Sequence, residues 1–358
     1  LSRSYEHGGN VFDIARQLGR PSSEIIDFSA SINPLGISTH VKDAIIAALD
    51  SLVHYPDNTH SELKQALAAQ HGLSPANIVV ANGSTEIIYH LPAMLPGKRA
   101  LVISPSFNEY LRSLGQHQWQ VSHFILAPED NFSIDLAALE RVLADGYDAL
   151  YLCNPGNPNG TLYSLQTIER VYSLCSASGT FLVLDEAFMD FCEDCSARHA
   201  IVKGDNGIIL RSMTKFFGIP GLRLGYALSS TSMAERLDAM GGPWSVNTLA
   251  LTAGVAALGD HAHNRRTLAY IHQERHDLCQ RLTEFRQLKV YPSSVNFLLV
   301  EIIEGMSAGE LRERLLQEGL LIRDCSNFVG LSPRFFRIAV RTAGENRRLI
   351  EALKGVLK

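Results

Sequence analysis

The sequence predicts an α/β protein, with a large, mostly parallel sheet unit and a smaller α/β unit at the C-terminal end. Three observations carry this reading. Short apolar runs alternate with helix-period stretches from about residue 75 to 228. Polar or aromatic landmarks follow those runs, at Asn82 to Thr85, Phe107, Asn157, Asp185 and Lys215. The last third then alternates strand and helix patterns again. In open α/β sheets ligands sit beyond the carboxyl ends of the strands, so these landmarks would gather along one edge.

The first 35 residues are irregular apart from an amphipathic segment, Val11 to Leu18, and read as an arm joining the smaller unit. His7-Gly8-Gly9-Asn10 is polar; alone, His7 reads as a surface residue. Helical spacing covers 38–52, with Ser38 or Thr39 as cap, and Ser61 to His71. His54-Tyr55-Pro56-Asp57 between them is a turn. Ile78 to Ala81 is a strand; Gly83-Ser84-Thr85 then leads into a helix from Ile87 to Leu95. That layout suits an anion, because free N–H groups and the helix dipole point at it. The plainer reading of Ser84 and Thr85 is a helix cap.

Strands follow at Ala100 to Ser104, Gln120 to Phe124, Ala149 to Cys153 and Thr180 to Leu184, the last apolar enough to be covered on both faces. Helices are expected at Asp135 to Leu143, Leu165 to Ser176 and Met233 to Met240. The large unit spans 36–250 and the small one 251–358, joined by helix near 250–285, where Leu249 to Leu258 is apolar and Ala-rich and a long amphipathic helix follows from about Asn264 to Phe285. Within the small unit, Val290 to Tyr291, Asn296 to Glu301, Leu320 to Arg323 and Phe336 to Val340 read as strands; Ala308 to Glu318 and Glu345 to Leu357 read as helices.

Bulk properties narrow the class. The 358 residues are too many for one minimal core. A net charge of −5 argues against a nucleic-acid binder. No apolar run approaches the ~20 residues that span a bilayer. The polar start LSRSYEHGGN lacks a signal-peptide pattern, which points to the cytoplasm. The first residue is Leu1, not Met, which reads as numbering that starts inside the native polypeptide or after processing. Six scattered cysteines fit a reducing compartment, and the lone Cys192-x-x-Cys195 has no second half to make a metal site.

The stretch Gly207 to Gly225, GIILRSMTKFFGIPGLRLG, holds the chemistry. Lys215 follows a buried strand, Ser212 stands three residues before it, and Arg223 eight after. A lysine there can form a Schiff base, while hydroxyl and guanidinium hold a phosphate. The same residues match S-x-x-K of penicillin-binding serine hydrolases, but the partner motifs S-D-N and K-T-G are missing.

Ser212-Met213-Thr214-Lys215, Gly221-Leu222-Arg223-Leu224-Gly225, Asp185-Glu186-Ala187 and Asn157-Pro158-Asn159-Gly160 resemble the fold-type I pyridoxal-phosphate enzymes of the aspartate-aminotransferase superfamily. The resemblance covers essentially the whole chain and implies that fold and pyridoxal 5'-phosphate as cofactor. It implies Lys215 as the Schiff-base lysine, Asp185 at the pyridine nitrogen, Asn157 at the ring oxygen and Phe107 on the ring face. Gly83, Ser84, Thr85, Ser212 and Arg223 would hold the phosphate, with Tyr55 reaching it from the other subunit of a homodimer. Phe188 stands where many aminotransferases have a tyrosine, so Asn157 alone would serve the oxygen.

Within the superfamily the chain resembles two families, the L-threonine O-3-phosphate decarboxylases of cobalamin biosynthesis and the histidinol-phosphate aminotransferases. The His7 to Asn10 stretch, Asp27-Phe28-Ser29-Ala30, Ile32 to Gly36, Pro243 to Asn247 and Phe188 favour the decarboxylases. That resemblance implies a small phosphorylated amino acid as substrate, held by His7, Gly8, Asn157, Arg323 and Arg337. Ser31 replaces an Asn of the pattern; its hydroxyl can still donate to phosphate. The bland reading of Arg323 and Arg337 is surface salt bridges. A non-catalytic regulator with this fold is a further alternative.

Overall fold

The computed structural model describes residues 7–357, so the arm before His7 lies outside the described residues. Helix α1 (Val11–Leu18) leads to the two-residue strand β1 (Ile26–Asp27), then to α2 (Thr39–Ala47) and α3 (Ser61–His71). The large unit continues as β2 (Ile78–Ala81), α4 (Ser84–Met94), β3 (Arg99–Ser104), α5 (Glu109–Gln116), β4 (Gln120–Ile125) and α6 (Leu136–Leu143). Next come β5 (Ala149–Cys153), α7 (Leu165–Ser178), β6 (Phe181–Asp185), α8 (Arg198–Ile201), β7 (Gly207–Ser212), β8 (Gly225–Ser229), α9 (Thr231–Asp238) and α10 (Thr248–Gly259). The rest is α11 (His261–Thr283), β9 (Leu288–Val290), β10 (Phe297–Ile302), α12 (Ala308–Gln317), β11 (Leu320–Leu321), β12 (Arg323–Asp324), β13 (Phe335–Ala339) and α13 (Ala343–Val356).

Seven strands form one sheet in the order β2-β8-β7-β6-β5-β3-β4. Only β8 runs against its neighbours. Two reversals therefore return β2 to the common direction. The carboxyl ends of six strands and the amino end of β8 meet at one edge. Every residue of β2, β5, β6, β7 and β8 is buried, which is why these strands read as near-continuous apolar runs. Ile87, Leu91, Tyr110 and Leu114 from α4 and α5 cover one face of the sheet, with Met233 and Leu237 of α9. Leu63, Leu139, Ile168 and Ala253 from α3, α6, α7 and α10 cover the other.

A four-stranded antiparallel sheet, β12-β13-β10-β9, carries α11, α12 and α13 against it around Phe336, Leu298 and Leu349. The arm joins this unit: β1 pairs in parallel with β11. Among the described residues no helix is long and apolar enough to cross a membrane.

Three sequence readings need correction. Helix α4 begins at Ser84, not Ile87, because Gly83 at φ 81° turns the chain sharply enough to serve as its cap. The helical pattern over 38–52 stops at Ala47 and continues as a 3-10 turn, Leu49–Val53. The apolar stretch from Leu249 and the long helix expected to follow it are α10 and α11, which meet at Asp260, whose carboxylate accepts from the His263 amide at 3.1 Å. Leu320 to Arg323 is not one strand: Leu320–Leu321 pairs with the arm, then the chain crosses at Ile322 so that Arg323 pairs with Arg337.

Candidate active site

Successive side chains on a strand point to opposite faces. On β6, Phe181 and Val183 face the α4–α5 side, and Asp185 follows them; Leu182 and Leu184 face the other side, as does Glu186. On β7 the same alternation puts Ser212 with Asp185 and Arg211 with Glu186. The fully buried Arg211 binds Glu186 at 3.3 Å, Asp190 at 3.0 Å, and Glu193. Burial pushes Glu186 up to about 7 and Asp190 up to about 6, with Arg211 opposing it in both. One face of the strand ends thus holds a structural ion cluster, leaving the other for chemistry.

Lys215 stands three residues beyond β7, half-buried. Burial presses its amine down to about 8, with Arg223 acting in the same direction and Asp185 against it. Its Nζ donates to Thr214 Oγ1 at 2.8 Å, and that hydroxyl is 2.8 Å from Ser212 Oγ. Thr214 therefore stands between Ser212 and Lys215 and takes the lysine's hydrogen bond, unlike a serine-hydrolase nucleophile pair. Asp185 is buried, which raises its carboxyl above the usual range; the Tyr110 hydroxyl, donating to Oδ2, works against that rise. The Ala187 amide donates to Oδ1 at 2.9 Å.

The β2–α4 turn makes an anion cradle. Gly225, at the start of β8, lies in register with both Ala81 and Ser212. A Cβ there would stand 2.2 Å from the Ser84 amide nitrogen, and one on Gly83 would stand 2.7 Å from an Arg223 guanidinium nitrogen. Helix α4 has no side-chain cap, so Ser84 and Thr85 leave its first amides to other acceptors. The Arg223 guanidinium is exposed and donates to Pro220 O at 3.2 Å.

Lys215, Thr85, Arg223, Phe107, Asn157 and Phe188 line a cavity of about 520 Å³. His7, Gly8, Ser31, Arg323 and Arg337 line it too. Arg323 and Arg337 are buried, so the surface salt-bridge reading fails. Arg323 donates to Asn327 Oδ1 at 2.8 Å. Arg337 donates to Asn157 Oδ1 and to Ser29 O, the latter at 2.9 Å, while its Nε is buried without a partner. Burial lowers Arg337 to about 10, still a cation at neutral pH. Ser31 Oγ is also buried and unpartnered. Phe188 packs edge-on to Phe297, with Lys215 Nζ 5.9 Å from its ring centroid. Tyr55 lies outside this cavity, 78% exposed and stacked on Trp244 at 4.5 Å.

Residues 23–353 match the family described as aminotransferase class I and II. The chain belongs to this family. Threonine-phosphate decarboxylase of Salmonella typhimurium is 39% identical to it, over 98% of this chain and 96% of that protein. The crystal structure of L-threonine-O-3-phosphate decarboxylase from Porphyromonas gingivalis superposes at TM-score 0.81 and 30% identity, covering 92% of this chain and 98% of that one. Histidinol-phosphate aminotransferase from Sinorhizobium meliloti, solved in complex with pyridoxal-5'-phosphate, gives TM-score 0.87 at 25% identity, covering 100% and 98%.

Class I and II aminotransferases work with pyridoxal 5'-phosphate. The residues present fit it: a glycine-cut cradle for the phosphate, a buried carboxylate for the pyridine nitrogen and a lowered lysine amine. Three features of this aminotransferase-family site escaped the sequence reading. Tyr110 binds Asp185, Thr214 binds Lys215, and Arg211 braces the strand ends from behind. The spacing of Tyr110 from Phe107, one helical turn, is the only sequence sign of the first. Arg211 beside an apolar run and Glu186 at the next strand end signalled the third.

Cys192 precedes and Cys195 ends a 3-10 turn, Glu193–Cys195. Both thiols are free, Cys192 Sγ donates to Ser294 O at 3.3 Å, and no group of three or more His, Cys, Asp or Glu among the described residues could hold a metal.

Proposed function

We propose that the chain is a pyridoxal-phosphate-dependent carboxy-lyase that converts L-threonine O-3-phosphate to (R)-1-aminopropan-2-ol O-phosphate and CO2, in cobalamin biosynthesis. The observation that carries this is the pair of buried guanidiniums, Arg323 and Arg337, in one cavity with Lys215 and His7. A phosphate dianion on the substrate can use both cations. The Salmonella relative bears that activity in its name.

On this reading Lys215 and Asp185 are the catalytic residues. Gly83, Ser84, Thr85, Ser212 and Arg223 hold the cofactor phosphate, Phe107 covers the ring and Asn157 meets its oxygen. When bound, pyridoxal phosphate supplies an electron sink for the pair left on the α-carbon as CO2 departs. Asp185 holds the proton at the pyridine nitrogen, and Tyr110 keeps that carboxylate aimed. Lys215, with an amine near 8, can carry a proton to the α-carbon and release it again near neutral pH. Arg323, Arg337 and His7 would grip the substrate phosphate, with Ser31 and Gly8 beside them, and so would set the orientation of the substrate in the cavity.

The reading extends to assembly. Ile46, Leu49, Leu52, Val53, Tyr55 and Trp244 are exposed apolar residues; such a patch suits a homodimer in which Tyr55 reaches the neighbouring site. The chain divides into an arm, 1–35, a large cofactor-binding unit, 36–250, and a small unit, 251–358, and works in the cytoplasm.

The test offers threonine O-phosphate and histidinol phosphate side by side, each with and without 2-oxoglutarate. CO2 from threonine O-phosphate without any oxo acid is the expected result. Glutamate formed from histidinol phosphate, with no CO2 from threonine O-phosphate, would replace this reading by histidinol-phosphate transamination.

A further inference from the structure

We propose that Glu109 is a positioning residue whose carboxylate holds His7 against Phe107 and so fixes the N-terminal arm across the substrate cavity. This rests on the reading of His7 as a substrate contact. Glu109 does not line the cavity; it is the first residue of α5 and is buried behind Phe107. Its Oε1 meets His7 Nε2 at 2.5 Å, although 102 positions separate them. Its Oε2 accepts from the Tyr89 hydroxyl at 2.6 Å, and Arg112 Nη1 donates to Oε1 at 3.2 Å. Three partners thus fix one carboxylate on a helix N-terminus, where negative charge is favoured. The His7 ring, so held, lies 5.5 Å from the Phe107 ring.

The arm is tied a second time, to the other side of the cavity. A Cβ on Gly8 would stand 2.1 Å from Ser29 O, so only glycine lets the arm lie this close. The Gly9 amide donates to Ser29 Oγ at 2.9 Å, and Arg337 donates to Ser29 O. His7 to Gly9 therefore bridges the α5 end of the large sheet and the strand bearing Arg337. Without Glu109 the bridge keeps only the Ser29 anchor, and the imidazole no longer has a fixed place beside the substrate phosphate.

Glu109→Gln, His7→Ala and the double variant, each as holoenzyme, test this. Glu109→Gln should raise KM for threonine O-phosphate about tenfold and change kcat less than threefold, the mark of lost binding rather than lost chemistry. The double variant should be no worse than His7→Ala, because the two residues act as one unit. Amide exchange at Gly8 to Asn10, which needs no substrate, should quicken in Glu109→Gln. Effects that multiply, an unchanged KM or unchanged exchange would overturn the proposal. Should Gln unsettle α5, Glu109→Asp keeps the charge, shortens the reach and gives the same reading. A wild-type enzyme that releases no CO2 sinks the substrate reading instead, and the exchange measurement still decides on Glu109.

Discussion

The hydroxyl of Tyr110 donates a hydrogen bond to the carboxylate of Asp185, and both groups are buried. Burial alone raises Asp185; the hydroxyl is the largest influence holding it down. Tyr110→Phe leaves the ring in the core and removes only this bond. Asp185 then rises further and keeps its own proton more readily, weakening its pairing with the pyridine nitrogen. A loss of about tenfold in kcat is expected, since a bond to a charged group contributes about 1.5–3 kcal/mol. The melting temperature of the apoprotein should move little. Steady-state kinetics beside a thermal melt separates the two effects.

Cofactor capture should follow the protonation of Lys215. Only the neutral amine attacks, and its lowered value of about 8 sets where it becomes neutral. The rate at which apoprotein turns yellow with pyridoxal phosphate should therefore climb from pH 6 to about 8 and then level off. An unshifted lysine, near 10.4, would keep climbing past that point. Lys215→Ala should give no colour that survives borohydride reduction and denaturation.

Gly225→Ala tests the cradle. The added methyl would stand 2.2 Å from the Ser84 amide nitrogen, so β8 and the start of α4 must move apart. Equilibrium dialysis should show pyridoxal phosphate affinity falling by more than tenfold, the equivalent of about 1.4 kcal/mol.

Arg211→Met leaves Glu186, Asp190 and Glu193 without their shared cation. Breaking a buried ion pair from one side costs about 3–5 kcal/mol. Denaturant unfolding of the apoprotein should show a loss of that order at pH 7. Adding Glu186→Gln to Arg211→Met should recover part of it, because one uncompensated carboxylate is gone.

Arg323→Ala should raise KM for threonine O-phosphate about thirtyfold, within the range of a lost charge-assisted bond. Cofactor absorbance should be unchanged if, as proposed, Arg223 and the α4 turn hold the other phosphate. Equal loss of cofactor would place Arg323 in the wrong half of the site.

Much of this was legible in the chain. Ser61–His71, Ile78–Ala81 and Ala149–Cys153 have the bounds that period and burial predict. Lys215 and Asp185 stood out because a charged group at the end of an apolar run has few uses. Helix α5 escaped because its eight residues present little more than Tyr110 and Leu114 to the core. The split at Ile322 escaped as well, because an apolar run does not name its partners, and the two halves here have different ones. Glu109 escaped with its helix; its partner His7 is remote in sequence, and periodicity carries no information about such pairs.

Asp185 and Glu186 leave the end of β6 on opposite faces, one toward Tyr110 and the other toward Arg211. A single peptide unit thus separates the carboxylate proposed for the chemistry from the one bound to Arg211. Inserting or deleting one residue in β6 would exchange them, turning Glu186 to the side of Tyr110 and leaving Arg211 facing a new neighbour. Loops around this sheet can lengthen or shorten over evolutionary time, but this strand cannot change length by one without losing catalysis and folding together.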